Sequence, residues 1–396
     1  MTESECLERM IPPGKERPIK PFFHGVIQIL VTSSCDKACF NCTQASNTKR
    51  PYWEMTPQQF EDAVKSLEGY WGVLGLFGGN PAVSKHFHSY CQTVQRYWPR
   101  DRAGIWCNNP ITVEKARMMR TAFHPMISNL NCHGDQEAHR KFKEGWPESA
   151  PFGIPTATHS GDSRHSPPWV AMKDVLHKRC DLCQNAYSAR ETIPGVIKAG
   201  DSMYRDPVDG TYKLCPRCNG TGHIYDEEEA WRLISGCDIN QKWSASIGIF
   251  RGELRAWFCE VAMAQAILHQ DNPGYVATGI RPELYYTIGS VTNPRTSERV
   301  GTLSGHTDRR MGSLRWWELP MTWFADQVRK HCHECGVPLR GHGQLAVGGE
   351  YEEVSRMHEA VYKPKDSRRP LRVISSREEL GQPLMTATAY LQNANR

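Results

Sequence analysis

Cysteine spacing constrains this chain more than any other feature, because each short run of thiols obliges its surroundings to fold around one point. Fifteen cysteines are present, and eight of them lie in or beside CxxC-type pairs. The tightest run is Cys35-Asp36-Lys37-Ala38-Cys39-Phe40-Asn41-Cys42, a C-x3-C-x2-C loop. A 4Fe-4S cube ordinarily takes four cysteines, so three local thiolates leave one iron open to an outside group. Catalytic metal centres keep an open position, whereas structural ones close it. A zinc knuckle is the competing reading, but it prefers C-x2-C spacing with a fourth ligand nearby, and the loop holds no histidine.

Clustered thiols in this number fit a reducing compartment, where disulfides are rare and such clusters mean metal or catalysis. The odd total also argues against a disulfide scaffold. The acidic start, Met1-Thr2-Glu3-Ser4-Glu5, lacks an apolar secretory region, and no apolar stretch approaches the roughly 20 residues that span a bilayer. A cytoplasmic protein without a membrane span is expected. The formal charge of +5 is no argument for nucleic acid. Thiolates on metal are deprotonated, and three filled sites would bring the net charge to about zero.

Along the chain, 1–20 is polar with Pro12, Pro13 and Pro18, and reads as an extension. Gly25 to Thr32 is β-branched and apolar, and it runs as a buried strand straight into the cysteine loop. Thr56-Pro57 opens a helix with Phe60, Val64 and Leu67 on one face. Strands at 72–79, 103–107 and 126–131 then alternate with helices at 85–97 and 112–123, and a helix at 136–143 precedes a short strand near 152–158. Such succession predicts parallel βα units. The expected fold class is α/β, a partial parallel (β/α) barrel over 21–175, with chemistry at the C-terminal ends of its strands. A zinc-binding insert over 176–235, a C-terminal auxiliary-cluster domain over 236–345, and a C-terminal segment and flexible tail over 346–396 complete the division.

The loop carrying Cys35, Cys39, Phe40 and Cys42 resembles the signature of the radical S-adenosylmethionine (SAM) superfamily, including the aromatic residue after the middle cysteine. The resemblance implies that these cysteines hold a 4Fe-4S cluster whose fourth iron is chelated by the amino and carboxylate groups of SAM. It implies reductive cleavage of SAM to methionine and a 5′-deoxyadenosyl radical that abstracts hydrogen from a substrate. An electron donor of flavodoxin or ferredoxin type follows from the same resemblance. Gly78, Gly79, Asn80 and Pro81 end the second strand where the family carries a Gly-Gly-Glu-Pro-like SAM-binding motif. Asn80 stands in the acidic position, so an amide carbonyl is expected to receive the SAM amino group without the charge. Asn129 and Asn131, with His133, are candidates for SAM or substrate at the end of the fourth strand, against a plain polar turn. Cys107 and Asn108 are weighed in the same way.

Cys180 and Cys183 pair with Cys215 and Cys218 across 31 intervening residues. Glycines after the second pair resemble a zinc-ribbon knuckle, so zinc is the preferred ligand and a second iron-sulfur cluster the alternative. Cys332 and Cys335, with Cys237 and Cys259 as the nearest partners, are similar to the auxiliary SPASM or Twitch domains of radical SAM enzymes. They are expected to hold a second 4Fe-4S cluster, with zinc the competing reading. Cys6, Cys91 and Cys132 are left as buried thiols.

The expected activity is SAM-dependent radical modification, an oxidoreductase-type chemistry, of an unidentified small molecule, sugar or peptide. No catalytic acid, base or quenching residue is named. From another class, the chain could be a non-catalytic metal-bearing protein that binds nucleic acid. That reading calls for a basic, aromatic-lined stripe, and only scattered residues such as Arg309, Arg310 and Arg315 offer one.

Overall fold

The computed structural model describes residues 1–15, 25–37, 42–46, 52–152, 168–183, 203–205, 207–208, 211–219, 221–237, 239, 244–282, 315–339, 352–359, 361 and 371–374. The chain opens with helix α1 (Glu3–Arg9), started by a capping box in which Thr2 and Glu5 exchange side-chain-to-backbone hydrogen bonds. Strand β1 (Val26–Leu30) has Ile27 and Ile29 fully buried. Helix α2 (Pro57–Ser66) starts at a second capping box, Thr56 with Gln59, and turns Phe60, Ala63 and Val64 inward. Then come β2 (Val73–Phe77), α3 (Phe87–Tyr97), β3 (Ala103–Ile105), α4 (Val113–Ala122) and α5 (Gln136–Gly145). Thr112 and Asp135 cap the last two helices.

These strands are parallel and in regular register, with Ile27 beside Leu74, Ile29 beside Leu76, and Leu76 beside Ile105. Single parallel bridges from Trp106 to Asn129 and from Asn131 to Phe152 continue the series beyond β3. The rest of the strand expected near 152–158 lies outside the described residues.

Next come α6 (Met172–Val175), the short strands β4 (His177–Arg179), β5 (Met203–Arg205), β6 (Tyr212–Leu214) and β7 (His223–Tyr225), and helix α7 (Glu227–Ser235). Strands β4 and β7 pair antiparallel, as do β5 and β6. Strand β8 (Ser244–Phe250) then returns to lie parallel beside β1, with Val26 opposite Ser244, and β9 (Glu253–Trp257) folds back antiparallel on it. The main sheet has the order β3-β2-β1-β8-β9. Residues 244–257, assigned from sequence to a separate auxiliary domain, are therefore strands of the same sheet as the cysteine loop. Every residue of helix α8 (Glu260–Leu268) is buried, which explains its continuous apolar run. Helix α9 (Ala325–His331), strand β10 (Glu352–Ser355), helix α10 (Arg356–Glu359) and strand β11 (Leu371–Ile374) follow.

Two terminal expectations change. Within the extension expected over 1–20, the described residues 1–15 are not merely appended, because Cys6, Leu7 and Met10 on and after α1 enter the main core. Prolines at 12 and 13 end the helix without preventing its apolar face from docking. Within 346–396, β10 pairs with β11. Ser355 and His358 are buried, and Ser355 exchanges hydrogen bonds with the backbone of Trp169 and Ala171. Residues 375–396 lie outside the described residues. No described helix is long and apolar enough to cross a membrane.

Candidate metal and cofactor site

The C-terminal ends of β1, β2 and β3 open on one edge, the usual location for ligands in parallel sheets. After Leu30 the chain runs to Cys35 as an extended loop pinned on both sides. The Met55 and Ser33 amides donate to Val31 and Trp53 carbonyls at 2.8 and 3.1 Å on one side. On the other, the Gly79 and Asn80 amides donate to the carbonyls of Thr32 and Ser34 at 2.9 and 2.7 Å. Glycine is required at this approach. Gly78 has φ +139°, and a Cβ on Gly79 would fall 2.0 Å from the Ser34 oxygen.

Cys35 and Cys42 are both half-buried. Cys39 and Phe40 lie outside the described residues. The Lys37 amide points at the Cys35 sulfur at 3.4 Å, the sense that favours thiolate. The Lys37 ammonium pairs with Asp135 at 2.6 Å, tying the loop to the start of α5. The Trp169 indole donates to the Cys42 carbonyl at 3.1 Å.

Asn80 follows this glycine pair directly. It is fully buried. Its Nδ2 donates to Asp36 Oδ1 at 2.8 Å and to the Asn109 carbonyl at 2.9 Å. Its Oδ1 accepts from the Ala82 amide at 3.1 Å and the Cys107 thiol at 3.2 Å. Two donors and two acceptors exhaust an amide side chain, leaving no lone pair for the SAM amino group.

The sequence reading missed Asp36, the residue on which the ends of β2 and β3 converge. Asn80 and Asn108 donate to its Oδ1 at 2.8 and 3.0 Å, and Asn109 donates to its Oδ2 at 2.9 Å. Burial raises the pKa of this carboxyl, but the donors Asn80, Asn109 and Asn108 outweigh it and hold it below the ordinary carboxylate value. A signal was available in the sequence: an acid directly after the first cysteine, and paired asparagines after the third strand.

Asn129 and Asn131 use their backbones to continue the sheet, the Asn129 carbonyl accepting from the Cys107 amide at 3.0 Å. The Asn131 side chain accepts from the His133 amide at 3.0 Å, which closes a polar turn after this strand position. Cys107 and Asn108 are buried beside Asn80 and Asp36. Cys6, Cys91 and Cys132 are buried, and burial pushes the Cys6 thiol up to about 12 and that of Cys132 up to about 11.

The sulfurs of Cys180, Cys183, Cys215 and Cys218 lie within 4.8 Å of one another. Among the described residues this is the one set of three or more His, Cys, Asp or Glu side chains gathered closely enough for a single ion. Cys180 and Cys215 sulfurs are 3.8 Å apart, and those of Cys183 and Cys218 are 3.3 Å apart. The Gly222 amide turns back to the Cys218 sulfur at 3.2 Å, and the Cys180 amide donates to the Gly222 carbonyl at 2.8 Å. The two knuckles are also joined by an Arg217–Asp181 ion pair at 2.6 Å.

Cys237, Cys259, Cys332 and Cys335 instead line one small cavity, whose walls include Met10, Phe258 and His331. Cys259 stands at the N-cap of α8, and burial pushes its thiol up to about 12. Burial drives the Cys332 and Cys335 thiols well above their ordinary value, and each is raised further by its neighbours. Buried thiols such as Cys259, Cys332 and Cys335 stay neutral unless a cation compensates them. His331 donates or accepts through Thr278, Tyr275 and Gln265, and burial pushes it down to about 3, so it is a neutral wall.

No protein-family model matches this chain, and no curated protein does. Among solved structures, BtrN in complex with AdoMet and 2-DOIA is similar at 20% identity and a TM-score of 0.25, over 32% of this chain and 55% of BtrN. Selenomethionine BtrN in an open conformation is similar at 19% identity and a TM-score of 0.26, over 39% of this chain and 63% of BtrN. The chain thus matches less than two thirds of either BtrN chain.

Proposed function

We propose that this chain is a radical SAM enzyme built on a partial (β/α) barrel, with Cys35, Cys39 and Cys42 as ligands of a 4Fe-4S cluster. The observation that carries the reading is a C-x3-C-x2-C loop at the C-terminal end of a parallel strand, clamped backbone to backbone by the amides of Gly79 and Asn80. When bound, the cluster supplies an electron to the sulfonium of SAM, whose deoxyadenosyl fragment then takes hydrogen from a substrate. The chain's own residues do the positioning. Gly79 lets the second strand's turn touch the loop, Lys37 anchors the loop through Asp135, and Trp169 holds the Cys42 end.

Zinc is proposed for Cys180, Cys183, Cys215 and Cys218. A tetrahedral ion with Zn–S bonds of about 2.3 Å sets its sulfurs about 3.8 Å apart, in keeping with the observed 3.3 and 3.8 Å. A cube with thiolates on four separate irons spreads its sulfurs more widely. An auxiliary 4Fe-4S cluster is proposed for Cys237, Cys259, Cys332 and Cys335, which line one pocket. The substrate class proposed is a small molecule, sugar or peptide, the reductant a flavodoxin or ferredoxin, and the compartment the cytoplasm.

Anaerobic reconstitution with iron and sulfide tests the assignment. About eight irons and one zinc per chain are expected, with 5′-deoxyadenosine formed on reduction with SAM and none from Cys35→Ala. Four irons with two zincs would reassign the later cavity. Zinc alone at the first loop would overturn the functional reading.

A further inference from the structure

We infer that Asp36, not Asn80, receives the amino group of SAM, an assignment that rests on the radical SAM reading above. The amino group of an amino acid chelated to iron keeps N–H bonds that the metal makes more acidic, and it needs a strong acceptor close to the cluster. Asn80 is fully engaged inside the protein.

Asp36 meets the requirement. It follows the first cluster ligand directly, its Oδ1 is 4.0 Å from the Cys35 sulfur, and the residue is exposed. An ionised carboxylate has about four lone-pair sites. Asn80 and Asn108 donate to Oδ1 and Asn109 to Oδ2, and the residue's own backbone amide also donates to the carboxylate. Oδ2 thus takes one side-chain donor against two on Oδ1.

The three donors come from the turns after β2 and β3, so the carboxylate is held in one orientation before any ligand arrives. All three are neutral amides: they fix the charge without cancelling it, and the neighbouring cation, Lys37, is paired with Asp135. The negative charge missing from position 80 thus lies one hydrogen bond away, on the cysteine loop itself. Asn80 is a positioning residue that aims it.

The test is SAM binding to the reconstituted, unreduced holoenzyme by equilibrium dialysis, with iron counted in each sample. Asp36→Asn is expected to keep its iron and bind SAM at least tenfold more weakly. It should bind the sulfonium analogue lacking the amino group as the parent protein does. Equal SAM affinity in the iron-loaded variant overturns the inference and leaves the enzyme class standing. Failure of the parent protein to bind SAM overturns the enzyme class instead.

A second measurement needs no substitution. Parent protein labelled with 13C-aspartate should show a carboxylate band in the infrared difference spectrum on adding SAM but not on adding the desamino analogue. Absence of that band also overturns the inference, including where Asp36→Asn cannot hold iron.

Discussion

Gly79→Ala probes the contact that joins the second strand to the cysteine loop. An added Cβ would lie 2.0 Å from the Ser34 oxygen and 2.5 Å from its carbonyl carbon. Comfortable carbon contacts need roughly 3.5 Å, and both atoms are backbone, so no rotamer change relieves the clash. The turn must separate by roughly 1.5 Å. That breaks the hydrogen bonds from Gly79 to Thr32 and from Asn80 to Ser34. Two hydrogen bonds at about 1 kcal/mol each, with roughly 1–3 kcal/mol of overpacking, give a loss of about 3–5 kcal/mol. Gly69→Ala is the control, because Gly69 has φ +85° but open space around it. Backbone strain alone should cost it about 1–2 kcal/mol. Urea unfolding followed by circular dichroism reads both variants, and iron content after reconstitution reads the loop. If Gly79→Ala unfolds no earlier than Gly69→Ala and keeps parental iron, the clamp is not what positions Cys35.

Other outcomes can be checked in parallel. Both amide atoms of buried Gln28 lack a partner among the described residues, a penalty of roughly 1–3 kcal/mol, so Gln28→Met should raise stability by about 1 kcal/mol in the same urea assay. A loss of stability would mean that the amide holds a buried water or ligand. Cys215→Ser should lower zinc from one per chain to none, by elemental analysis, without changing the iron. A fall in iron there would instead favour a cluster at that site. Leu7→Ala should destabilise the protein by about 2–5 kcal/mol, since Leu7 sits in the main core. An unchanged melting midpoint would detach α1 from that core.

The legible parts of the fold were those encoded locally. Thr56-Pro57 and Thr112 announce helix starts through side chains that satisfy nearby amides, and β1 through β3 carry apolar runs between turn residues. The pairing of β8 with β1 could not be read in this way, because Val26 and Ser244 meet across most of the chain and no residue type marks a parallel partner. The N-terminal helix was obscured by its charges, which face outward while Cys6 and Leu7 face in. At the site, spacing alone identified the compact four-thiol group. That four neighbours occupy the Asn80 amide could not be read from its position in a motif. Asp36 drew no notice because its three partners come from two other turns and assemble only in the fold.

The central claim is that the iron-sulfur cluster on the first loop has an iron that SAM can reach. Electron-nuclear double resonance on the reduced protein with SAM labelled at its amino nitrogen and carboxylate oxygens tests this most directly. Hyperfine coupling of both labels to the cluster is expected, and it should vanish with Cys35→Ala. A cluster signal with no coupling to either label would contradict the claim.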